Sequence, residues 1–189
     1  MVIDPQDADK FFGEEWDKSL TTAEEISIYD YAGDGYKPIN SALWATGGDV
    51  SKIDPNLTTD EGDRVVDEIR HIDSALAKGD LKQNIIVYRG DQGDIFDGLS
   101  ALEIKHMMKG AIITNYGYSS ASISEKSATA KAYQYNIKVK AGKGKGAFIR
   151  NQSPHYTEHE FLIRRNARLK VLDAYERPNG QIVVDMEML

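Results

Sequence analysis

The chain has 189 residues, a formal net charge of −7 and no cysteine. The length suits one domain with a substantial core, and the missing cysteine excludes disulfides, thiolate zinc sites and cysteine nucleophiles. The acidic balance argues against a broad nucleic-acid surface. No apolar run approaches membrane-helix length, and the acidic, polar start from Met1 to Asp9 lacks a signal-peptide layout.

The first elements in chain order are helical. Thr21 with Glu24 has capping-box spacing ahead of Ile26, Ile28 and Tyr29. Pro38 suits the first turn of a short helix through Leu43 and Trp44, which Gly47-Gly48 breaks. Thr58 with Glu61 offers a second capping box. Val65, Ile69, Ile72 and Leu76 follow at helical spacing until Gly79-Asp80. The period then shortens. Ile85–Tyr88 and Ala111–Thr114 read as strands, and Ser124 suits the cap of a short helix over Ala128–Tyr133. Further strands are predicted near Ile137–Val139, Ala147–Ile149, Phe161–Ile163, Leu169–Leu172 and Ile182–Met186. Gly142-Lys143-Gly144-Lys145-Gly146 lacks P-loop spacing and reads as a glycine-rich hairpin, with lysines for a cleft rim. Helices followed by strands predict an α+β fold, mainly antiparallel, in a single domain over 1–189. About 1–80 form a helical lead-in and about 81–189 a β-rich core. The βαβ alternation of a Rossmann domain is absent.

Three clusters carry chemistry. Tyr88-Arg89-Gly90 ends a predicted strand. An arginine there can grip phosphate with its planar fork, and the glycine admits a ligand to the backbone; a surface arginine at a strand corner is the plain alternative. Gly117-Tyr118-Ser119-Ser120-Ala121-Ser122 follows another strand. Its hydroxyls can orient a carboxylate or simply make a serine-rich turn. Glu158-His159-Glu160 precedes Phe161-Leu162-Ile163. In an extended segment residues two apart share a side, so both carboxylates would face one cleft, or else solvent. The preceding stretch from Asn151 to Thr157 reads as a turn containing Tyr156.

In order and spacing, these clusters resemble the arginine–serine–glutamate class of mono-ADP-ribosyltransferases. They resemble most the enzymatic domains of binary actin-modifying and insecticidal toxins and their effector or phage relatives. Tyr88-Arg89 matches the family's aromatic-Arg motif. Ser120-Ala121-Ser122 matches its Ser-Thr-Ser motif, with Ala121 in place of threonine. Glu158-x-Glu160 before an apolar strand matches its acid-x-Glu motif. Tyr36-Lys37-Pro38-Ile39-Asn40 is similar to its Tyr-x-x-Ile-Asn segment, and the likeness runs from about Glu24 to the C-terminus. Relatives often carry a further phosphate-binding arginine just before the strand that holds Ile137; here Tyr133-Gln134-Tyr135-Asn136 stands there.

The resemblance implies two packed, mainly antiparallel sheets forming an NAD cleft, with helices on the N-terminal side. It implies NAD as substrate, with no metal. Arg89 would pair with NAD phosphates and Gly90 would hold the nicotinamide amide. Glu160 would stabilise an oxocarbenium-like ribose, and Ser120 would orient Glu160. Glu158 would pair with an arginine acceptor, since in the family an acid at this place goes with arginine. Tyr36 and Asn40 would add NAD contacts, and Tyr156 with the turn at Pro154 would meet the target. The implied partner is a target protein, actin being the family precedent, and neither nucleic acid nor a membrane segment is expected. The parent chain, longer or served by a delivery partner, is expected to be secreted, injected or phage-associated and to act in a target cell's cytoplasm.

Rival readings use the same residues. NAD glycohydrolysis without a protein acceptor, or an inactive NAD-binding module, would keep the cleft. His155-Tyr156-Thr157-Glu158-His159 spells an inverted zinc-protease motif, but a strand-like run follows at once. Arg89-Gly90-Asp91 spells an adhesion tripeptide, which acts from a flexible loop, whereas this one abuts a strand. His71 and His106 lie within helical patterns and receive no role.

Overall fold

A computed structural model describes residues 14–93, 95–96, 98–128, 130–149, 153 and 159–189. The N-terminal layer contains α1 (Glu14–Asp17), α2 (Thr22–Asp30), α3 (Tyr36–Ala45) and α4 (Val65–Lys78), with a π-helical turn, Tyr31–Gly35, between α2 and α3. The Thr21 capping box forms: Glu24 Oε2 accepts from the Thr21 amide at 2.7 Å. Glu24 also reaches beyond its own helix. Its carboxylate, 3% exposed, accepts from Ser74 Oγ and Lys78 Nζ of α4, both at 2.6 Å. The cap of α2 thus clasps α4.

The second expected capping box does not form. Gly62 has φ 92, which breaks a right-handed path from Thr58. Thr58 instead bridges to Arg64, and α4 starts at Val65 with no side-chain cap. The helical pattern around His106 is realised from Ser100, whose capping box with Glu103 opens α5 (Ala101–Glu103) and a π-helical turn, Ile104–Met108.

The strands are β1 (Asp80–Leu81), β2 (Ile85–Asp91), β3 (Ile112–Asn115), β4 (Ser119–Ser122), β5 (Tyr133–Val139), β6 (Gly142–Lys143), β7 (Gly146–Phe148), β8 (Glu160–Ile163), β9 (Ala167–Glu176) and β10 (Ile182–Met188). Eight join in the order β3-β9-β10-β5-β2-β4-β8-β7, and β1 pairs with β6. Every pairing is antiparallel except β5 with β10. The pairing of β2 with β4 is confined to Tyr88 and Ser122, so the order divides there into five strands and three.

Packing confirms two layers. Phe161 and Ile163 of β8 share a core with Val87, Tyr135, Val171 and Met186 of the five-stranded part. Leu162, on the opposite face of β8, packs with Ile28, Ile39, Leu43 and Ile72 of the helices. The three-stranded sheet is therefore buried on both faces, between the larger sheet and the helices. This is the α+β architecture expected, mainly antiparallel with N-terminal helices.

Two elements depart from expectation. The helix over Ala128–Tyr133 is absent: a 3-10 turn, Glu125–Ala128, gives way to β5, where Tyr133, Tyr135, Ile137 and Val139 alternate inward. The glycine run 142–146 is not a hairpin. β6 pairs with β1, β7 pairs with β8, and the Gly144 amide donates to Gly79 O at 2.8 Å. A Cβ on Gly79 would lie 2.4 Å from Gly146 O, so the glycines serve close approach to the end of α4.

Candidate active site

The cleft opens where β2 and β4 part. Past the Tyr88–Ser122 pair, Arg89 spans the gap, its Nη1 donating to Ser120 O at 2.9 Å. Asp91, one strand repeat on, sets a carboxylate oxygen 3.9 Å from Arg89 Nη2. Arg89 and Gly90 of β2, Ser120 and Ser122 of β4, and Glu160 of β8 line one cleft, together with Ser127 and Lys131 from the β4–β5 connection. Strand pairing explains the convergence. Glu160 lies opposite Ser122 and Leu162 opposite Ser120, which puts Ser120, Ser122 and Glu160 on one face of the small sheet.

Glu160 is 6% exposed although it lines the cleft. Ser153 Oγ donates to its Oε2 at 3.0 Å. Its backbone is pinned too: Ile149 N donates to Glu160 O at 3.0 Å, and Ile123 N to the preceding carbonyl of His159 at 3.2 Å. Behind the cleft lies Tyr31, 2% exposed. Burial pushes its phenol well above the usual range despite a bond from Asn40 and the field of Arg89, with Glu160 adding to the rise. Tyr31 therefore stays a neutral wall between the helices and the two charged side chains. On the other side Tyr135 is likewise pushed up, by burial and then by the charge of Asp91.

The residues singled out in the sequence divide into three groups. Arg89, Gly90, Ser120 and Glu160 line the same cleft. Tyr36 and Asn40 do not line it. Asn40 faces inward: its amide donates to Tyr31 OH at 3.0 Å and Tyr118 O at 3.2 Å, and its Oδ1 accepts from Tyr118 N at 3.0 Å. It clamps the approach to β4. Tyr36 is half-exposed, with its ring edge-on to Tyr31 at 6.4 Å. Pro154, Tyr156 and Glu158 lie outside the described residues, as does most of the inverted zinc-protease motif.

Backbone geometry removes one sequence argument. His159 has φ 49, in the left-handed region, and β8 begins only at Glu160. The extended path expected through Glu158-His159-Glu160 is thus not kept at His159, and Glu158 itself lies outside the described residues. The same φ is incompatible with a zinc-protease helix through His159. Asp91 is buried in β2, so Arg89-Gly90-Asp91 is no flexible adhesion loop. The lysines of the glycine run are not among the residues lining this cleft, and Lys145 Nζ lies 3.4 Å from Leu189 O.

Three contributors carry no legible sequence signal. Ser153 sits in a stretch whose composition indicates only a turn, and Lys131, the second cation of the cleft, in the stretch Ala128–Tyr133 that the sequence reads as a short helix with no role in binding. Tyr31 lies in the π-helical turn, which no capping or spacing rule announces.

The sequence model of the ADP-ribosyltransferase exoenzyme family matches residues 10–189. The chain belongs to this family. As a family member it is a transferase domain of the kind that uses NAD. Among solved structures this exoenzyme is similar to an ADP-ribosyltransferase from Clostridium botulinum, at 25% identity and a TM-score of 0.80, over 97% of this chain and 94% of that one. Its fold is shared by C3stau2 from S. aureus, solved with NAD, at 20% identity and a TM-score of 0.82, over 98% and 96% of the two chains. The enzymatic component C2-I of the Clostridium botulinum C2-toxin has 23% identity and a TM-score of 0.78, over 98% of this exoenzyme and 47% of C2-I, so this chain spans about half of that protein. A comparison with curated proteins gives no match.

Proposed function

We propose that this exoenzyme is a mono-ADP-ribosyltransferase that breaks the bond between nicotinamide and ribose in NAD and joins the ribose carbon to an arginine nitrogen of a protein. The supporting observation is the convergence of the Arg89 guanidinium and the buried Glu160 carboxylate on one cleft. Arg89, with Lys131 as a second cation, would hold the phosphates. Gly90 would present backbone to the nicotinamide amide. As nicotinamide leaves with the bonding electron pair, the ribose gains oxocarbenium character, and Glu160 would stabilise that charge. Ser153 and Ser120 would keep the Glu160 carboxylate in position. Tyr36 would add an exposed ring at the rim.

Glu158 would pair with the acceptor guanidinium and take the proton released as nitrogen attacks, and Tyr156 would meet the target protein. The names of Plx2a from Paenibacillus larvae and of the C2-toxin component support a toxin or effector role in a target cell. Actin, the precedent from the motif resemblance, is one target to test.

Incubation with labelled NAD and a host lysate, followed by mass spectrometry, tests this reading. Glu160→Gln is expected to lower transfer by about a hundredfold or more, the scale of a lost transition-state charge, with the fold unchanged. Glu158→Gln should abolish arginine modification yet leave NAD hydrolysis measurable. Transfer by Glu160→Gln at the unmutated rate would refute the assignment.

A further inference from the structure

The wall of the cleft that carries Ser127 and Lys131 has little regular structure of its own. It contains the 3-10 turn Glu125–Ala128, with Lys131 beyond it. It nevertheless closes tightly over Gly90. A Cβ there would lie 2.6 Å from Lys131 Cγ and 3.2 Å from Ala128 O. The turn between β9 and β10, Arg177-Pro178-Asn179-Gly180-Gln181, supplies what holds this wall. It is a rigid turn, closed by Arg177 N donating to Gln181 O at 2.8 Å and Gly180 N to Arg177 O at 2.9 Å, with Gly180 at φ 84.

Two side chains leave this turn for the wall. Gln181, 4% exposed, uses both amide hydrogens, donating to Ala128 O at 3.1 Å and Lys131 O at 2.9 Å. Its Oε1 accepts from Arg177 Nη1 at 3.0 Å. The Arg177 guanidinium continues to the Glu125 carboxylate and to Gln134 Oε1. Gln134, fully buried, donates to Glu125 Oε1 at 3.0 Å and lies opposite Gly90 in the β2–β5 register. Neither Arg177 nor Gln181 lines the cleft.

We propose that Arg177 and Gln181 are positioning residues for NAD binding, acting through the backbone of the wall to fix Lys131 and the space over Gly90. The inference rests on the cleft being the NAD site. A lysine is a flexible point charge, so its value to a phosphate depends on where its backbone is held. The two carbonyls that Gln181 holds flank that backbone. Loss of the clamp should therefore remove most of what Lys131 contributes, and the two residues should be energetically coupled.

Fluorescence titration with NAD on wild type, Lys131→Ala, Gln181→Ala and the double variant tests this, with thermal melts verifying folding. Each single substitution is expected to weaken binding by about tenfold, and the double variant by no more than about threefold beyond either. Gln181→Ala should raise KM for NAD with kcat within about twofold, because the reacting atoms are untouched. Gln181→Glu, isosteric but without the two donated hydrogens, carries the same cycle should Gln181→Ala fail to fold. Losses that multiply to about a hundredfold in the double variant, or wild-type affinity in Gln181→Ala, overturn the proposal alone. Absence of NAD binding in the wild type overturns the reading of the cleft, and this inference with it.

Discussion

At the scale of single residues, the cleft combines one buried acid with two cations. Glu160 is nearly inaccessible, and a buried carboxylate is tolerable only with hydrogen-bond partners. Ser153 is such a partner, at 3.0 Å. A bond to a charged acceptor contributes about 1.5 kcal/mol or more, which is roughly tenfold in rate where the charge acts in the transition state. Ser153→Ala should accordingly lower kcat by about tenfold with KM for NAD little changed. Steady-state kinetics measures this, and an unaltered kcat would remove Ser153 from the machinery. The motif resemblance assigns the orienting part to Ser120. The structure gives Ser120 a further place, its carbonyl accepting from Arg89.

At the scale of elements, the clasp between α2 and α4 makes a pH prediction. Burial alone would raise the Glu24 carboxyl, but the bonds from Lys78, Ser74 and Thr21 outweigh it and hold the group at about 2 against an ordinary 4.5. A depressed carboxyl contributes stability that is complete above the ordinary value and is lost as pH falls from about 4.5 to about 2. Glu24→Gln should cost about 2–3 kcal/mol at pH 7 and flatten that acid dependence. Glu68 of the same interface works oppositely: burial, with the charges of Asp63 and Asp30, raises it, so acid relieves its penalty. Denaturant titrations at pH 7 and pH 3 check the clasp, and equal losses for mutant and wild type at both would dismiss it.

The elements also show where local patterns hold. Thr21 and Ser100 both form capping boxes, whereas Thr58 has the same spacing and does not, because Gly62 turns the chain away. The alternation of Tyr133, Tyr135, Ile137 and Val139 is present in the sequence, yet Tyr133 also fits the end of a helix capped at Ser124; burial against the second sheet decides for the strand.

At the scale of the whole molecule, the cleft is assembled from three strands, with a helical turn behind it, so a ligand there should stabilise the fold globally. With NAD at about a hundred times its dissociation constant, the gain is about 2.7 kcal/mol, or roughly 5–10 °C in Tm for a chain of this size. The Glu160→Gln protein, expected to bind without turnover, is the material for this melt. No shift at saturating NAD would count against the cleft as its site. Long-range ties carry such coupling: Arg165 makes a bidentate pair with Asp73 of α4, Nε donating to Oδ1 at 3.0 Å and Nη2 lying 2.8 Å from Oδ2, and Tyr118 OH donates to the same carboxylate at 2.6 Å.

The amino-acid sequence by itself determined the α+β class, the family, and the residue types at Arg89, Ser120 and Glu160, because strand periodicity and short motifs are local properties of the chain. Tertiary structure alone decided that Ser153 bonds to Glu160, that Lys131 is the second cation, that Asn40 turns inward, and that a distant turn grips the wall over Gly90. These depend on side-chain directions that no local pattern fixes, and on backbones brought together from far apart in the chain. Only the packed sheets fix both.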